Sequence, residues 1–227
     1  MAAYLAAAER IDGYRERCGN SKYNAAARQG DEYIPFFIDD STSEFIEKVA
    51  ETTPLLHRAK IIILKPSADS GYPHTRPGNI ICMPSSACSR WPTCKTTLIH
   101  ESIHLHQREF LGDWVSFLIK EGWTQQFRTP REYVERCRIN PDTMACPFWS
   151  WGHYQPLPLF PEKPQLRLGD ADVKWLDLRT GGLTTAPPSF VKRWGDTSQP
   201  EHPFELYAIE MAETCKTDDD VFNVIRG

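Results

Sequence analysis

Leu98-Ile99-His100-Glu101-Ser102-Ile103-His104 is the stretch on which the reading of this 227-residue chain turns. A helix advances about 100° per residue, so His100 and His104 stand one turn apart on one face. Two imidazoles so placed can grip a single tetrahedral zinc ion. Glu101 lies too close in angle to His100 to be a ligand from the same turn, but it reaches a water activated by the metal. A carboxylate there takes the water's proton during attack on a carbonyl and returns it to the leaving amine. The competing reading is a surface helix with two solvated histidines. The apolar character of Leu98 and Ile99 argues against it.

Working outward, the pattern predicts a helix over 93–110 after Pro92, ended by Gly112. A second helix is expected over 114–127, weakened by Gly122. Upstream, Lys60-Ile61-Ile62-Ile63-Leu64 and Asn79-Ile80-Ile81-Cys82-Met83 read as strands, the latter stopped by Pro84. The stretch 66–77, with Gly71 and Pro73, reads as a loop. Residues 4–18 and 43–52 read as helices, the latter capped by Ser41 or Ser43 with a stripe of Phe45, Ile46 and Val49.

Downstream the composition changes. Residues 130–203 hold 11 of the 18 prolines and four of the seven tryptophans. So many aromatic residues suit an ordered, loop-rich excursion better than a disordered linker. One strand is expected in it, at 172–176. A helix then starts at Pro203, a residue favoured at the first helical position. The fold class read from these elements is α+β: a small mixed sheet, an HExxH helix and a C-terminal ligand helix. They form a single domain over 1–227 with a Pro/Trp-rich insertion at about 130–202.

A catalytic zinc site takes three protein ligands and leaves one position open. The long metzincin motif needs a glycine and a third histidine where this chain has Gln107 and Phe110, so it is excluded. His106 points about 200° from His104 and is a poor ligand. Two glutamates remain. Glu205 shares a helical face with Ala208, Ala212 and Ile209, and the small alanines permit close approach to the histidine helix. Glu121, in Lys120-Glu121-Gly122-Trp123-Thr124, follows the histidines by one helical hairpin. Glu205 is preferred for its small-residue face, and Glu121 stays as the alternative. Glu210 falls on a different face and reads as solvated.

The run 98–108, followed by His202-Pro203-Phe204-Glu205-Leu206-Tyr207-Ala208, resembles the gluzincin branch of zinc metallopeptidases. Within it the chain looks like the small zincin-like proteins of large DNA viruses and protists. That resemblance covers roughly 58–127 and 200–215. It implies zinc held by His100, His104 and Glu205, the last followed three residues later by Ala208, with Glu101 as catalytic base. It also implies a sheet edge along the cleft that pairs with extended substrate, the part assigned to Asn79–Met83. The chain departs from better-known gluzincins in having Ile209 where an aspartate often follows the third ligand. The 101 positions between His104 and Glu205 are also a longer gap than usual.

Oxyanion donors by residue type are Tyr207, Tyr154, His153 and His202. Trp149, Trp151 and Tyr154 are candidate cleft contacts. Asn140-Pro141-Asp142-Thr143 is a turn sequence with no chemical role to assign.

Composition limits the alternatives. The net charge is −4 and no dense basic block occurs, which speaks against a nucleic-acid partner. No apolar run approaches membrane-spanning length, and Glu9, Arg10 and Asp12 end the apolar start too early for a signal peptide. A soluble, intracellular protein is expected, in the virion or host cytoplasm if viral. The seven cysteines, odd in number, read as free thiols rather than disulfides. The function expected is a zinc-dependent metallopeptidase acting on a peptide or protein. The alternatives are a non-catalytic zincin-fold binding module and a zinc hydrolase of another amide or ester. Nothing in the sequence sets the oligomeric state.

Overall fold

The computed structural model describes residues 1–195 and 201–227. Residues 196–200, part of the expected excursion, lie outside the described residues. Among the described residues the chain forms a mixed α+β structure with two sheets. No helix is long and apolar enough to cross a membrane.

The β-branched run forms β1 (Lys60–Leu64), which pairs in parallel with β3 (Ile80–Pro84). The expected edge position of that second strand is wrong. Strand β2 (His74–Arg76) lies inside the predicted loop and pairs antiparallel with β3, leaving β3 central in the order β1-β3-β2. Hairpin formation explains the error. Gly78 and Asn79 take φ of 85° and 60°, conformations suited to a tight turn between β2 and β3.

Helix α1 (Ala2–Asp12) and helix α2 (Tyr14–Asn20) replace the single helix expected over 4–18, because Gly13 adopts a left-handed φ of 59° between them. Helix α3 is Lys22–Ala27. Helix α4 (Asp40–Thr52) starts earlier than expected and is capped by Asp39, whose side chain accepts from the Thr42 amide.

After a short helix α5 (Ser85–Cys88), helix α6 (Trp91–Glu109) carries the histidine motif. Leu98, Leu105 and Cys94 pack against Ile81 and Met83 of the sheet, while Ile99 and Ile103 pack into a second cluster with Phe204, Leu206 and Ala208. Apolar contact on both sides makes α6 an interior helix and removes the solvated-histidine reading.

Helix α7 (Leu111–Lys120) begins at once, so Gly112 sits in its first turn and does not terminate α6. The helix expected to reach residue 127 stops at Lys120. Gly122 takes φ of 96°, and β4 (Trp123–Gln125) follows.

The Pro/Trp-rich stretch holds far more strand than the one segment expected. Helix α8 (Arg131–Arg136) leads to β5 (Trp149–Trp151), β6 (Tyr154–Leu159), β7 (Asp172–Asp177) and β8 (Leu183–Thr184). With β4 they make an antiparallel sheet in sequence order. Pro156 and Pro158 disguise β6, since proline normally argues against a strand interior. Helix α9 (Pro188–Trp194) places Phe190 against Trp123, Trp151 and Trp175.

Helix α10 (Pro203–Ala212) packs along α6, with Ala208 and Ala212 buried at the contact. Helix α11 (Asp218–Arg226) closes the described chain behind a capping box of Thr217 and Asp220.

Candidate metal centre

Helix α6 brings His100 and His104 to one face, and α10 brings Glu205 against them. His104 Nε2 lies 3.0 Å from His100 Nε2. Glu205 Oε2 lies 3.3 Å from each of those nitrogens. Ligand atoms about 2.0–2.2 Å from a tetrahedral zinc are about 3.3–3.6 Å apart, so this triangle is slightly tighter than the spacing the ion requires and fits it with small adjustment. His104 and Glu205 are buried, and His100 is partly exposed; His100 and Glu205 line the adjoining cavity.

Each donor atom is aimed by a second residue. Gln107 Nε2 donates to the Phe204 carbonyl (3.0 Å), which leaves Gln107 Oε1 to accept from His104 Nδ1 at 2.6 Å. With Nδ1 donating, a neutral His104 presents the Nε2 lone pair to the centre. Asn140 Nδ2 donates to Glu205 Oε1 at 2.7 Å and so turns Oε2 inward.

Burial alone raises the Glu205 carboxyl pKa. The His104 charge and hydrogen bonds from both histidines overcome it and hold the group well below the usual carboxylate range. Burial likewise opposes the charge on His104, but Glu205 and Asp142 push its pKa up to about 10. At 3.3 Å, a protonated His104 and Glu205 form a buried ion pair.

Glu101 is buried beside the triad, and its Oε2 has no hydrogen-bond partner. Burial, then the negative charge of Asp142, raises its proton affinity well above the ordinary. An unpartnered buried carboxylate oxygen is costly; Asp31 Oδ2 and Asp69 Oδ2 share that state, but Glu101 Oε2 is the one beside the His-His-Glu triangle.

Glu101, His104 and Asp142 form a second acidic grouping within ligand distance. It is a poor metal site. Asp142 Oδ1 already accepts from the Thr75 amide (2.7 Å) and hydroxyl (2.5 Å), and both His104 nitrogens are committed elsewhere.

The turn 140–143, without a role in the sequence, is the piece that completes the site. Asn140 Oδ1 accepts from the Asp142 amide, fixing the turn while Nδ2 reaches Glu205. Arg108 donates to the Thr75 and Pro141 carbonyls and clamps the turn to β2. From the other side, Asn24 binds the Cys137 carbonyl and the Ile139 amide, and Arg28 binds the Ile139 carbonyl. Arg28 is in turn held by Asp69 at 2.8 Å.

Other expected site residues lie elsewhere. Glu121 is exposed and accepts from the Tyr207 hydroxyl at 2.9 Å, so neither residue belongs to the triad. Tyr207 packs among Trp114, Phe117 and Trp194. His202 is the N-cap of α10: its Nδ1 accepts from the Phe204 amide and its Nε2 donates to the Cys146 carbonyl. His153 packs against Tyr154, and neither lines the cavity at the triad. Trp149 is buried, and Trp151 packs against Trp123 and Phe190 rather than lining the cleft. His106 is not a surface residue; its Nδ1 accepts from Trp114 Nε1 within the core. Glu210 is exposed, facing Arg193.

All seven cysteines are free and buried. Burial pushes the Cys82 and Cys137 thiols up to about 12, which suits packing and not nucleophilic attack.

No family model, curated protein or solved structure matches the chain.

The site opens into a cavity of about 1030 Å³, lined at its floor by His100, Glu101 and Glu205. Thr93, Thr96 and Thr97 of α6 form one wall, and Val173, Lys174 and Trp175 of β7 form another.

Proposed function

We propose that the chain is a zinc-dependent hydrolase of peptide bonds, with a zincin-like arrangement of α6 against the three-stranded sheet and α10. His100, His104 and Glu205 would hold the ion, and Glu101 would be the general base. The observation that carries this reading is the pairing of a pre-aimed His-His-Glu triangle with an unpartnered buried carboxylate beside it.

Zinc held by this donor set supplies Lewis acidity and makes water ionisable near neutral pH. The chain supplies the rest. Glu101, with its unpartnered Oε2 beside the triangle, would accept a proton from water and return it to the departing amine. Gln107 fixes the His104 ring and Asn140 fixes the Glu205 carboxylate, so little reorganisation is needed during reaction. A purely structural metal site has no use for Glu101, which disfavours the binding-module alternative.

The test combines metal analysis with cleavage of a broad peptide mixture by wild type and Glu101→Gln. The reading expects about one zinc per chain in both proteins, with cleavage lost in the variant. A chain purified without chelators that carries no metal would sink it.

A further inference from the structure

Among the described residues, the outer edges of β2 and β7 differ in how far the chain itself occupies them. In β2 the outward-facing main-chain groups are those of Thr75, opposite Ile81. Both are already used. The Thr75 amide donates to Asp142 Oδ1 at 2.7 Å, and its carbonyl accepts from Arg108 Nη2 at 3.0 Å. The edge of the three-stranded sheet nearest the metal centre is therefore plugged by the chain's own side chains.

Strand β7 is different. Its partner β8 pairs only opposite Trp175 and Leu176. Asp177 donates its amide to the Gly182 carbonyl, so the main chain of Asp177 turns toward the β8 side. Alternate residues of an antiparallel strand turn toward the same neighbour, which gives Trp175 and Val173 that orientation too. The opposite edge agrees. Trp175 and Val173 face Pro156 and Pro158 of β6, residues with no amide hydrogen to offer β7. Beyond Thr184 the chain leaves the edge, and Ala186 packs against the buried aromatic cluster. The Val173 amide and carbonyl thus point past the end of β8. Asp172, Val173 and Lys174 line the same cavity as His100, Glu101 and Glu205.

We infer that an extended polypeptide segment adds to β7 at Val173, main chain to main chain, and is carried by that pairing across the metal centre. The nature of the occupant rests on the peptide-hydrolase reading; its place rests on the strand geometry. Pairing of this kind reads extended backbone and selects weakly among side chains. It makes a substrate of unfolded or locally unwound polypeptide, in which main-chain groups are free.

The probe is oxidised insulin B chain, an unstructured peptide, added to the Glu101→Gln protein. Amide hydrogen exchange is read by NMR at Val173, with Thr75 as internal reference. Slowed exchange at Val173 with Thr75 unchanged is the expected result. Cleavage by wild type without protection at Val173 overturns the inference and leaves the hydrolase reading standing. Protection without cleavage supports the inference and removes the hydrolysis. Absence of both overturns both.

A kinetic arm uses Val173→Pro, which removes the amide hydrogen, against Val173→Ala, which keeps it. Loss of one main-chain hydrogen bond predicts a KM about 5–10-fold higher for the proline variant than for the alanine variant. Equal KM values in two variants of wild-type thermal stability count against the inference.

Discussion

Asn140 Nδ2 stands 2.7 Å from Glu205 Oε1, and this contact joins the Pro/Trp-rich stretch to the candidate metal triad. It gives that stretch a chemical task, because the carboxylate oxygen left over is the one that faces both histidines.

Replacing Asn140 tests this directly. Asn140→Asp keeps the oxygen that accepts from the Asp142 amide but sets a negative charge against Glu205. Zinc affinity is expected to fall about 10–100-fold, the usual range for loss of an outer-shell partner. Competition with a chromophoric chelator measures it, and an unchanged affinity in the folded variant contradicts the role.

The third ligand is separable from its rival by substitution. Glu205→Ala is expected to lower zinc affinity by several orders of magnitude. Glu121→Ala is expected to leave it within about twofold, since that side chain contacts Tyr207 and not the histidines. A reversed ranking in titration calorimetry refutes the assignment.

Zinc binding should release a proton near pH 7.5. His104 in the metal-free chain has its pKa raised to about 10, whereas a ligand imidazole must give up its Nε2 proton. Affinity then rises with pH until that pKa is passed. Calorimetry in buffers of different ionisation enthalpy counts the protons, and a count of zero rejects the raised His104 pKa. In stability terms the raised pKa favours the metal-free fold fully below the unfolded value of about 6.5, and the benefit is lost as pH climbs through 10.

Acid should weaken the fold through two other histidines. Burial lowers both His106 and His202 to about 4, so the unfolded chain binds more protons than the folded one below about pH 6.5. Stability therefore falls as pH drops from about 6.5 to 4, by at most about 1.4 kcal/mol per pH unit for each group. Denaturant midpoints across this window should show a shallower slope in His106→Gln, in which the amide oxygen can still accept from Trp114. An identical slope excludes His106 as a contributor.

The parts of this molecule legible in sequence were those with a local period. His100, Glu101 and His104 follow from helical geometry, and Glu205 from the small residues on its own helix. Gln107 was one turn from His104 and readable in principle, since an amide at that spacing reaches a ring nitrogen. Asn140, Asp142 and Thr75 had no such signal. They meet their partners 65 and 67 positions away, through a turn whose residues look like ordinary turn formers. Strand β2 was hidden by its three-residue length, and β6 by prolines that face away from its ladder with β7.

His104 and Glu205 lie 101 positions apart, with the whole five-stranded sheet between them. An ion shared by these side chains would be a removable cross-link closing a long loop. Such a closure restricts a large part of the chain at once, and its entropic effect grows only slowly with loop length. Because the donors come together only when both helices are docked, an ion held there would favour the finished fold over earlier forms. Its removal should then be felt mainly as faster unfolding, with the rate of folding little changed.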